Sequence, residues 1–204
     1  LVLRVQGVEE ERQSLKNASF VTKKISKIIT PSFLNKKVWQ ALAYASSYLL
    51  HPLGTLIYDL VSEKAFEVLK NVNTPKEERG FEVLLLEQSH KNRILRYKTT
   101  IREMFSKKKS LVLFFPTIVD LEYAKEELGK GITEHVAVIH GGVTEKQFND
   151  AMEKITTEEH PLLILSTPSL LPWVREDLGL VILEREHSHY YYTHGTASYD
   201  MRFV

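Results

Sequence analysis

The sequence has no cysteine in its 204 residues. That excludes a disulfide framework and any cysteine-ligated zinc site, and it fits a reducing compartment such as the cytoplasm. Long apolar runs are missing too. No stretch approaches the roughly 20 residues that a bilayer-spanning helix needs, and Leu1-Val-Leu-Arg4 is no signal peptide, so no membrane partner is expected. An initiator Met is lacking and the chain stops at Phe203-Val204, so a piece of a longer protein is expected. Negative charge is absent from one whole region. From Arg12 to Tyr58 there is no Asp or Glu, while Arg12, Lys16, Lys23, Lys24, Lys27, Lys36 and Lys37 all fall there. A second basic stretch holds Lys91, Arg93, Arg96, Lys98, Arg102 and Lys107-Lys-Lys109, so the net charge of +1 conceals a segregation. Segregated cations mark a polyanion partner, or else a solvated lysine-rich face.

What is present supports a globular fold, with 43% of residues hydrophobic. The first half reads as strand end, turn and helices. Residues 1–5 alternate, and Val21, Ile25, Ile28 and Ile29 keep helical spacing. Leu34, Val38, Trp39, Leu42, Ala45 and Leu49 form the clearest apolar stripe, ending at His51-Pro-Leu-Gly54. A further helix is expected over 55–70. The polar stretch 71–80, with Asn73-Thr-Pro75 and Gly80, reads as a linker. After it the pattern changes to strands at 81–86, 111–115, 136–139, 162–165 and 181–183. They alternate with helices at 94–105, 119–128 and 144–155. That alternation predicts βαβ units and an α/β fold with a parallel sheet.

The organising stretch is Leu178-Gly-Leu-Val-Ile-Leu-Glu-Arg-Glu-His187. Its aliphatic run reads as a strand buried on both faces. Its charged end lies where parallel sheets bind ligands, beyond the carboxyl ends of the strands. The plainer alternative is that the charges only end a strand.

Several motifs, in order, carry a resemblance. Phe114-Phe-Pro-Thr-Ile118, Val138-Ile-His-Gly-Gly-Val143, Ser166-Thr-Pro-Ser-Leu-Leu171 and 178–187 resemble successive motifs of the first RecA-like lobe of the PriA-type primosomal protein N′ family, the replication-restart DNA helicases. Tyr190-Tyr-Tyr192, Gly195, Tyr199 and Arg202 are similar to its aromatic-rich loop and the tyrosine–arginine pair beyond it. The stretch 39–60, around Tyr48-Leu-Leu-His-Pro-Leu-Gly54, is similar to the end of the family's N-terminal DNA-binding domain. The resemblance implies a RecA-like, P-loop NTPase-type lobe over 81–204. It also implies a remnant of the DNA-binding domain with connecting helices over 1–72, joined by a linker at 73–80. Winged-helix and second RecA-like domains, which the family carries, find no room here.

The departures bear on activity. A P-loop folds glycine backbone N–H groups around phosphates and adds Lys and Ser/Thr for phosphate and Mg²⁺. Aligned without gaps, those glycine positions carry Glu87, His90 and Asn92, the lysine position Arg93, and the hydroxyl position Ile94. The Walker B positions carry Glu184, Arg185, Glu186 and His187, with Arg185 where the family places its water-orienting glutamate. A permanent cation cannot orient water in that role. ATP and Mg²⁺ serve the family. Here neither hydrolysis nor any cofactor is expected, and Arg185 is expected to pair with Glu87 or Glu186.

The resemblance thus implies a DNA-binding protein of replication restart without unwinding of its own. It would bind single-stranded or branched DNA and associate with other replication-restart proteins. Tyr190, Tyr191 and Tyr192, with Lys23, Lys24, Lys27, Lys36 and Lys37, are the candidate DNA contacts. An ATP-dependent helicase fragment and a protein-interaction remnant without DNA binding are the alternatives. His187, His189 and His194 beside Glu184 and Glu186 have no spacing that specifies a full metal site, so no metal is expected. Trp39, Tyr44 and Tyr48, at helical spacing, are expected in the core.

Overall fold

Every residue of Ser110–Phe114 (β1) is buried, which demands apolar cover on both faces of the sheet. That cover is present in the computed structural model. The structure describes residue 16 and residues 36–60, 82–168, 175–192 and 200–203, with the backbone alone at 36–38 and 203. Lys16 apart, these belong to one compact unit, Ser32–Val204. The elements are α1 (Lys36–Leu49), α2 (Leu53–Leu60), α3 (His90–Ser106), β1, α4 (Ile118–Leu128), β2 (Val136–Ile139), α5 (Glu145–Thr157), β3 (Leu163–Ser166) and β4 (Leu178–Leu183).

Side chains alternate across a strand, and β1 divides its own accordingly. Leu111 and Leu113 share a core with Ile94, Tyr97 and Ile101 of α3 and Leu121, Ala124 and Leu128 of α4. Val112 and Phe114 share another with Leu42 of α1, Ile57 and Leu60 of α2, and Phe148, Met152 and Ile155 of α5. Among the described residues the sheet has four strands in the order β2-β3-β1-β4, every pair parallel. This is the expected α/β architecture, consistent with a RecA-like fold. Thr117 and Thr144 cap α4 and α5, the latter with a full capping box closed by Gln147.

Three expectations need correction. The run Val83-Leu-Leu85 is not in a strand: residues 82–89 have no regular structure, and these three side chains are at least 80% exposed. An aliphatic run becomes a strand only where a neighbouring edge takes its N–H and C=O groups, and here no ladder includes it. The helix expected from 94 begins four residues earlier, at His90. β4 is also not covered on both faces. It is an edge strand paired with β1 alone, and Val181 and Leu183 remain 40% and 37% exposed. Residues 1–15, 17–35 and 61–81 fall outside the described residues, and with them the linker expected at 73–80.

A polar clamp fixes the start of β4 against β1. Arg175 is buried; its Nε and Nη2 donate to the two Asp177 oxygens at 2.7 and 2.8 Å, and its Nη1 reaches the carbonyls of Ile155 and Glu158. Ser110 Oγ donates to Asp177 Oδ2 at 2.6 Å and accepts the Leu162 N–H. The register of β1 on β4 skips Gly179, where an added Cβ would lie 2.8 Å from the Cβ of Lys109; only glycine fits that bulge. Burial pushes the Asp177 carboxyl up, but hydrogen bonds from Arg175 and Ser110 outweigh it and hold its pKa below the ordinary value.

A lowered carboxyl pKa stabilises the fold above the unfolded value, about pH 4, and the gain is lost as pH falls through the folded value. Asp177→Asn should therefore cost about 1–3 kcal/mol at pH 7. The gap to wild type should close below about pH 4, as read by denaturant titration at each pH.

Candidate functional site

The carboxyl ends of β1 and β4 lie side by side, since the Glu184 N–H donates to the Phe114 carbonyl at 2.9 Å. From β1 the chain enters Phe115-Pro-Thr117 and α4; from β4 it enters the turn Glu184–His187. Charged groups converge here because both strands are apolar to their last residue and turn polar together.

Glu184 is the centre. Although charged, it is only 4% exposed. Its Oε1 accepts from Arg93 Nε at 3.1 Å and Arg93 Nη2 at 2.8 Å, and its Oε2 accepts from Tyr97 Oη at 2.5 Å. Arg93 and Tyr97 stand four residues apart on α3 and therefore share a face. Arg93 Nη1 also donates to the Gln88 carbonyl at 2.7 Å, closing the segment before α3 onto the same group. The Glu184 hydrogen bond raises the Arg93 pKa, outweighing its partial burial. Burial, then the Glu184 carboxylate, raises that of Tyr97. Both therefore remain donors throughout the neutral range. The buried carboxylate is satisfied on both oxygens by the protein itself.

The next position behaves differently. Arg185 takes a left-handed backbone, φ 53°, which costs a residue with a Cβ roughly 1–2 kcal/mol. Its Nη1 donates to Asp120 Oδ1 at 2.9 Å, so it pairs with neither Glu87 nor Glu186 as expected. Asp120 Oδ2 in turn accepts from Thr117 Oγ1 at 2.7 Å. The turn is pinned from below by Tyr191, which is fully buried and whose hydroxyl donates toward the carbonyls of Glu184 (2.7 Å) and Phe114 (3.1 Å).

The other predicted positions separate. Glu87 is exposed in the irregular segment, while His90, Asn92, Arg93 and Ile94 all lie in α3. The Arg93 N–H is already bonded to the Ser89 carbonyl, and Ile94 is buried in the core. Glu186 and His187 are exposed, and the Glu186 carbonyl accepts from Arg202. Of the three tyrosines, Tyr190 and Tyr192 are 59% and 48% exposed, with His189 against the Tyr190 ring at 4.2 Å. Tyr191 is a core residue whose ring cannot meet a base. Lys23, Lys24 and Lys27 fall outside the described residues, and Lys36 and Lys37 open α1. Among the described residues no group of three or more His, Asp or Glu is placed to hold a metal ion. None of them forms a helix long and apolar enough to cross a membrane.

Sequence reasoning missed Tyr97 and Asp120. Tyr97 had a usable signal, its four-residue spacing from Arg93 on a helix; Asp120 had none, because its partner is 65 residues away.

A parallel sheet with flanking helices and a charged cluster at its carboxyl edge defines an α/β protein consistent with a RecA-like fold. No protein-family model matches the chain. Its sequence is similar to the replication restart protein PriA of Helicobacter pylori, in strains 26695 and J99, at 27% identity over 106 residues in both. The match takes in 52% of this chain but spans only 17% of the length of those relatives.

Replacing Glu184 by Ala should cost about 3–5 kcal/mol, because it leaves a buried guanidinium without its partner. Tyr97→Phe should cost about 1.5–3 kcal/mol, the worth of one hydrogen bond to a charged group. Both are read as lowered urea midpoints with unchanged slope.

Proposed function

We propose that this chain serves DNA replication restart in the cytoplasm as a DNA-binding protein whose nucleotide site is filled by its own side chains. The carrying observation is the Glu184 carboxylate. Arg93 and Tyr97 occupy both of its oxygens, leaving it no free face for a metal ion, and Arg185 stands where an attacking water would need a base. The chain in this reading binds no ATP or Mg²⁺ and hydrolyses none.

DNA binding rests on the similarity to a replication restart protein and on the acid-free, lysine-bearing stretch 12–58. Residues 1–72 are the remnant of a DNA-binding domain, 73–80 the linker, and 81–204 the RecA-like lobe. Lys23, Lys24, Lys27, Lys36 and Lys37 contact phosphates, and Tyr190 and Tyr192 supply ring faces to single-stranded or branched DNA. Other replication-restart proteins are the natural partners.

Fluorescence anisotropy with a forked DNA bearing a single-stranded arm, across a salt series, tests this reading. Affinity should fall steeply and linearly in log salt and remain the same with and without ATP and Mg²⁺. Affinity that responds to ATP would overturn the occupied-site reading in favour of a helicase fragment. An absence of DNA binding would leave a protein-interaction remnant.

A further inference from the structure

Helix α1 presents an aromatic surface that the site at the sheet edge does not use. Leu42 and Ala45 face the core, 0% and 1% exposed, whereas Tyr44 and Tyr48 are 69% and 60% exposed. Their rings stack nearly parallel, with an interplanar angle of 11° and centroids 6.2 Å apart. Large aromatic rings held together in solvent forgo much of the gain of burial, so a pair kept outside calls for an occupant. The intervening surface is low and neutral, with Gln40, Ala41, Ala43 and Ser47 all exposed. Nothing there blocks approach to the ring faces.

The occupant is set by charge. α1 contains no acidic residue, and none occurs anywhere from Arg12 to Tyr58. Counting turns at 3.6 residues each, position 37 lies on the same face as 44 and 48, seven and eleven residues before them. A lysine position followed by paired rings on an acid-free face is complementary to a strand with anionic phosphates and unpaired bases. A helical or acidic peptide would find one charge and no apolar groove.

We propose that Tyr44 and Tyr48 form a base-stacking platform for single-stranded nucleic acid, with the backbone running toward the start of α1. This deepens the DNA-binding reading and rests on it. The platform is sequence-tolerant, because every base offers a π-face.

The test measures anisotropy of a labelled thymidine homopolymer with the full chain, the Tyr44→Ala/Tyr48→Ala variant, the Tyr44→Phe/Tyr48→Phe variant, and Tyr190→Ala/Tyr192→Ala for comparison. Circular dichroism verifies folding, which the exposure of all four side chains favours. The Ala pair at 44 and 48 should weaken binding about tenfold or more at an unchanged salt slope, since no phosphate contact is removed. The Phe pair should retain affinity. Wild-type binding with no loss in the Ala pair would overturn the platform alone and assign the face to a protein contact. No binding by wild type would instead overturn the DNA-binding reading, and the platform with it.

Discussion

A single buried carboxylate governs the functional edge of this protein. Removing Glu184 from water is affordable only because three donors meet its two oxygens, and those donors come from one face of α3. The requirement fixes α3 against the end of β4 and draws the Gln88 carbonyl in through the same guanidinium. Tyr191 completes the arrangement from the other side by bonding the carbonyls of Glu184 and Phe114, so the ends of β1 and β4 are held in common.

The consequence for chemistry follows from occupancy. A carboxylate that binds a metal ion must keep lone pairs free, and an Arg beside it competes as a permanent cation. Arg93, at the lysine position of the resembled loop, is turned inward onto Glu184 rather than outward toward a ligand. Ile94, at the hydroxyl position, is spent on packing. Helix α3 also begins before those positions, so the Arg93 N–H closes a helical turn onto the Ser89 carbonyl. Substitutions that look like separate losses in sequence are one local structure, a helix stapled to the sheet by an ion pair.

Much of the fold was legible because its signals are local. Strands β1, β2 and β3 are short apolar runs closed by polar or proline residues, and Thr117 and Thr144 announce their helices. What could not be read depends on partners distant in sequence. Val83-Leu-Leu85 has the composition of a strand yet lies outside the sheet, and β4 looks doubly buried but sits at an edge. The pairing of Arg93 with Glu184 spans 91 residues, and no spacing rule reaches that far. Tyr44 and Tyr48 are a different case. At about 100° per residue they lie roughly 200–240° around α1 from Leu42, so summing the angles places them outside the core that helical spacing alone suggested.

The most direct measurement is a double-mutant cycle of Arg93→Met and Glu184→Leu on the intact chain, followed by equilibrium urea unfolding at neutral pH. If the pair is the structural centre, each single variant strands a buried charge, and the double variant loses less than the sum by about 2 kcal/mol or more. Losses that add to within about 0.5 kcal/mol would mean that the two groups do not depend on each other, and the site would have to be regarded as open.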